Sequence, residues 1–90
     1  MNILGLRWVG IATDRYDDLV RFLGDVLQLE VAFEEPTTVE FSTTEGDRVQ
    51  VMAPGDRYHD VFGAHAQGPV PLFEVDDVEA VRTVLSYILR

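Results

Sequence analysis

The sequence predicts an α+β domain built as a βαβββ unit followed by an incomplete second copy, βα. Three features carry this. Short apolar runs of strand length alternate with one helical stripe over residues 6–53, residues 54–68 show no sustained period, and residues 69–90 open again with a run and a stripe. Ninety residues allow one domain, 1–90, which on size scaling buries roughly two thirds of its unfolded surface.

The first run, Leu6-Arg7-Trp8-Val9-Gly10-Ile11-Ala12, is rich in β-branched and aromatic residues, and it ends at Thr13-Asp14, good N-cap residues. Leu19, Phe22, Leu23, Val26 and Leu27 then recur at three- and four-residue steps behind Asp17 and Asp18, which suit a helix N-terminus. Gly24 inside that helix costs about 1 kcal/mol relative to Ala, so the weak point is its last turn, near Leu27. Leu29 to Glu34 alternates and is closed by Pro36. Thr38–Ser42 and Arg48–Met52 alternate on either side of the turn residues Glu45-Gly46-Asp47, which predicts a hairpin. Residues 54–68 carry Gly, Pro, Asp and both histidines, His59 and His65, and read as a long connection. Pro69–Val75 is extended, and its two prolines confine it to an edge or an unusual pairing. Asp76 or Asp77 caps a final helix with Val78, Val81, Val84, Leu85 and Ile88 on one face.

The second start repeats the first at an offset of 62 residues. Ile11 falls on Phe73, Asp14 on Asp76, Asp17 on Glu79, Leu19 on Val81, Leu23 on Leu85 and Val26 on Ile88, so strand parity, cap and helix stripe coincide. A complete second copy would run past Arg90, so the sequence reads as C-terminally truncated with respect to that repeat. The expectation is an open edge at strand five that a second chain covers, giving a homodimer.

Composition excludes several classes. There is no Cys, which removes disulfides and thiolate chemistry, and every base is Arg, which removes Schiff-base and P-loop chemistry. A formal net charge of −9 opposes nucleic acid as a partner. Apolar runs fall short of the roughly 20 residues that span a bilayer, and the N-terminus shows no signal-peptide pattern, so no membrane partner and a cytoplasmic location are expected.

The βαβββ pattern, with Trp8-Val9-Gly10-Ile11 opening one copy and Phe73-Glu74-Val75-Asp76-Asp77-Val78-Glu79-Ala80 in the other, resembles the glyoxalase/bleomycin resistance protein/extradiol dioxygenase superfamily, also called vicinal oxygen chelate (VOC). The resemblance implies a half-barrel cup made of paired βαβββ modules, and, in the metalloenzymes, a divalent ion held by side chains on facing strands. Carried over, the ligand positions fall on Trp8, Gln50 and Val70. An indole N–H only donates, valine has no lone pair, and one neutral amide oxygen does not hold a transition metal, so no metal and no cofactor are expected.

What remains is a cup lined by Trp8, Phe41, Gln50, Met52 and Phe73, with Tyr58, His59 and Phe62 as a lid. Trp8 and Gln50 stand out because each brings a polar group that costs roughly 1–3 kcal/mol if buried unpaired. The others also read as plain core. The expectation is a metal-free, small-molecule binding protein for a hydrophobic or aromatic ligand. The alternatives are a metal-dependent lyase, isomerase or dioxygenase using His59 and His65, and a dimerisation module with no ligand.

Overall fold

A computed structural model describes residues 2–60, 69–80 and 82. The chain is a small α+β domain with one five-stranded mixed sheet. Its elements are β1 (Ile3–Ala12), α1 (Tyr16–Arg21) continuing into a π-helical turn (Phe22–Val26), β2 (Glu30–Glu35), β3 (Thr38–Ser42), β4 (Arg48–Met52) and β5 (Val70–Val75). The sheet order is β2-β3-β4-β1-β5. β1 runs parallel to β4, and every other neighbouring pair is antiparallel.

Alternation along the strands splits the sheet into two faces. Val39 and Phe41 on β3 and Val51 on β4 face α1 and are buried with Leu23, and Tyr16, Leu19, Val20, Leu29 and Val49 pack against them. The register partners on the other face are Thr38 with Met52, Glu40 with Gln50, and Gly10 with Gln50. Met52 and Thr38 are buried there too, at the end of β4 where the chain turns into residues 53–60.

The helix runs between its expected ends near Tyr16 and Leu27, and its cap and its last turn differ from expectation. α1 begins after Arg15 and has no side-chain cap. Thr13 Oγ1 instead accepts the Arg15 amide at 3.0 Å, a local turn that competes with capping. Near the C-terminus the backbone widens, the Leu27 amide reaching Phe22 O at 2.9 Å. Gly24 lies in that turn, and a Cβ there would stand 3.3 Å from Phe41 Cε1, so glycine permits the close approach of the turn to the sheet. Gln28 follows with φ of 58°, the left-handed region that glycine occupies without a steric penalty. Gln28→Gly is therefore expected to raise unfolding stability by several tenths to about 1 kcal/mol, read as a higher midpoint in urea.

The β3–β4 turn is the expected one. Gly46 has φ of 91°, and Thr43 N donates to Asp47 O at 2.9 Å. The final cap is Asp77, whose Oδ1 accepts the Ala80 amide at 3.0 Å. Val81, Val84, Leu85 and Ile88 lie outside the described residues, as do Phe62 and His65.

β1 starts at Ile3, three residues before the predicted Leu6, because β5 reaches back along it to pair Val75 with Ile3. Only Trp8–Ala12 pair with β4. Residues 3–7 and their β5 partners therefore form a two-stranded ribbon beyond the main sheet. Its tip is closed by Asn2, whose amide and side-chain nitrogens donate to the Asp76 carboxylate at 2.8 and 3.0 Å.

Candidate functional site

Trp8 and Gln50 meet on one face of the sheet. The indole Nε1–H donates to Gln50 Oε1 at 3.3 Å, Gln50 Nε2 donates to Thr38 Oγ1 at 3.0 Å, and Thr38 Oγ1 donates to Val51 O at 2.8 Å. This relay crosses three strands, β1, β4 and β3. Among the described residues no buried side-chain polar atom lacks a partner. The Trp8 ring lies over Gly10, where any Cβ would overlap it. A glycine within a strand marks such a close approach.

Beside Trp8, where β1 leaves β4, lies a cleft of about 470 Å³, within the size range of small-molecule sites. Leu6, Trp8, Val9 and Val49 give it apolar walls, and Arg7, Asp47 and Arg48 give it charged ones. Arg7 spans the mouth, its Nη1 3.3 Å from Asp47 Oδ1 and its Nε 3.3 Å from Glu74 Oε2. Hydrogen bonds to Asp47 and then Glu74 raise its pKa above the ordinary value, so this guanidinium is charged at every accessible pH. Arg48 Nη1 pairs with Glu40 Oε1 at 2.9 Å. The described surface of the cleft thus offers hydrophobic contact and an indole, with its guanidinium groups held by carboxylates.

The other expected lining residues divide. Met52 shares the Trp8 face but is fully buried at the far end of β4. Phe41 does not join them: it is 1% exposed on the opposite face, under the π-helical turn. Phe73 pairs with Leu6 on the ribbon and is exposed.

Tyr58 and His59 follow β4, so they sit at the end away from the cleft. Asp56 organises that segment. Its carboxylate is buried and accepts the Thr37 hydroxyl at 2.7 Å and the Tyr58 amide at 3.1 Å. The Arg57 guanidinium lies 4.8 Å from the centre of the Tyr58 ring. His59 faces Asp14 with Nε2 at 3.6 Å and Asp60 with Nδ1 at 3.3 Å. Burial pushes the nearby Tyr16 phenol above its ordinary pKa, and the negative charges of Glu34, Asp17 and Asp56 add to this.

These donors do not fit a catalytic divalent ion. The two carboxylates at His59 lie on opposite ring nitrogens, and no group of three His, Cys, Asp or Glu converges among the described residues. Nor do Trp8, Gln50 and Val70 fit one, because the indole N–H points its proton at the only good acceptor.

Four contributors were missed from sequence: Thr38, Gly10, Arg7 and Asp47. The glycine inside a strand and the alternation that puts Thr38 on the Gln50 face were available signals. The Arg7 bridge depends on long-range register and had none. No family model, curated protein or solved structure matches the chain. Among the described residues no helix is long and apolar enough to cross a membrane.

Proposed function

We propose that the chain is a metal-free, cytoplasmic small-molecule binding protein of the VOC type, holding a hydrophobic or aromatic ligand against Trp8 in a cup completed by a homodimer. The observation that carries the binding reading is the Trp8–Gln50–Thr38 relay. It fixes a single indole beside an apolar cleft while leaving no unmet polar demand in the described wall. Such a wall recognises a ligand by shape and stacking.

The module reading is supported by register. Val9 pairs with Pro71, its own counterpart at the offset of 62, while Trp8 pairs with Leu72 and Gly10 with Val70. Under the repeat, Trp8 corresponds to Val70 and Gly10 to Leu72, so those two pairs exchange about the Val9–Pro71 position. Two strands related by a duplication and a local two-fold have this register. The parallel β1–β4 pairing next to the β2-β3-β4 meander is likewise what a βαβββ unit requires.

The test is titration of the fluorescence of the only Trp in the chain with a panel of planar aromatic compounds. Saturable quenching is expected, weakened at least about tenfold in Gln50→Ala, where the indole loses its acceptor. A panel that leaves the emission unchanged would overturn the binding reading. A stable dimer in that event favours the dimerisation module.

A further inference from the structure

We propose that the Trp8 cleft takes a planar aromatic ligand bearing a positive charge in preference to its carboxylate counterpart, and that Arg7, held between Asp47 and Glu74, sets this preference. The inference rests on the binding reading above and adds the charge of the ligand to it.

Arg7 and Arg48 both line the cleft, so residue types alone would suit an anion. Their surroundings reverse that. Arg7 Nε donates to Glu74 Oε2 at 3.3 Å, Nη1 to Asp47 Oδ1 at 3.3 Å, and Nη2 to Leu4 O at 3.4 Å. A guanidinium grips a carboxylate at two points along one of two edges, Nε with Nη2 or Nη1 with Nη2. Each edge of Arg7 therefore includes a nitrogen that already donates to a carboxylate. The group is also seated against the chain: a Cβ at Gly5 would stand 2.9 Å from Arg7 Cζ, so the guanidinium lies on the backbone of residue 5. To receive a ligand carboxylate in this way, Arg7 has to release Asp47 or Glu74 beside a second anion.

The charges point the same way. Arg48 is matched by Glu40 at 2.9 Å. Two guanidinium groups thus answer three carboxylates, and the cluster carries one net negative formal charge at neutral pH. Asp47 lines the cleft itself, and its side chain is 32% exposed, within reach of a ligand at the mouth. The whole chain, at a formal net charge of −9, draws cations and repels anions.

The size of the preference follows from Coulomb's law. One unit charge about 6 Å from the ligand's own charge, in a water-like dielectric, changes affinity about threefold, so exchanging a cation for an anion changes it about tenfold.

Isothermal titration calorimetry of the full chain with three probes of similar shape, naphthylmethylammonium, naphthylmethanol and naphthoate, tests this. At low salt the ammonium is expected to bind about tenfold more tightly than naphthoate, with the alcohol between them. The ratio should fall towards one at about 1 M salt, where the screening length is roughly 3 Å. Asp47→Asn removes a negative charge and is expected to lower the ratio about tenfold. Arg7→Met leaves both carboxylates unopposed and is expected to raise it about tenfold. Circular dichroism checks that both variants fold, and where Arg7→Met does not, Asp47→Asn and the salt dependence decide. Naphthoate binding as tightly as the ammonium, or lost in Arg7→Met, overturns the charge preference while the binding reading stands. No binding of any of the three probes overturns the binding reading and this inference with it.

Discussion

Phe41→Ala is expected to remove about 3–5 kcal/mol of stability, the largest effect of any single truncation in the described core. Phe41 is 1% exposed and touches the helix layer where Gly24 lets it come closest. The remaining core is thin: Leu23, Val39 and Val51 are its only other buried members on that face among the described residues. With so few neighbours, the cavity left by the ring has little with which to collapse. A chain of this length has about 5–13 kcal/mol of stability in total, so the variant loses a large fraction of it. Urea unfolding followed by circular dichroism checks the prediction, and a loss below about 1 kcal/mol would mean that Phe41 is not a core residue. Phe41→Leu keeps most of the volume and is expected to cost far less. Ligand quenching of Trp8 in Phe41→Leu should match the wild type, since the two side chains face opposite sides of the sheet.

Local pattern was enough for the strands and the hairpin. β3 and β4 stand at the boundaries their alternation predicts, with Gly46 in the turn between them, and the prolines of β5 place it at an edge. The start of α1 at Tyr16 is as expected, but the cap is not formed, because Thr13 closes a local turn with Arg15 instead of capping. Asp14, the other expected cap, is left to face His59. Which residues share a face was legible only in part. Counting by twos along β3 separates Phe41 from the Thr38 face, but the side on which α1 packs is a tertiary fact. The early start of β1 and the Arg7 bridge both follow from β5 returning across 67 residues or more of chain, which no local window contains.

The relay can be tested from the glycine beneath it. Gly10→Ala places a methyl group where the Trp8 ring lies, so the indole must swing off the sheet. Its Nε1–H then leaves Gln50 Oε1, and a partly buried amide oxygen loses its donor. Overpacking together with that lost bond is expected to cost about 1–3 kcal/mol. The emission maximum of the sole Trp should move to longer wavelength as the ring enters water. A double-mutant cycle separates this from any intrinsic effect of alanine in β1. In a Trp8→Leu background the same substitution meets a smaller, branched side chain, and its cost should fall by at least half. An equal cost in both backgrounds would mean that the ring over Gly10 is not what the glycine accommodates. The proposed ligand wall would then lose part of its fixed orientation, because the indole is bonded to Gln50 and lies over residue 10, where no side chain stands in its way.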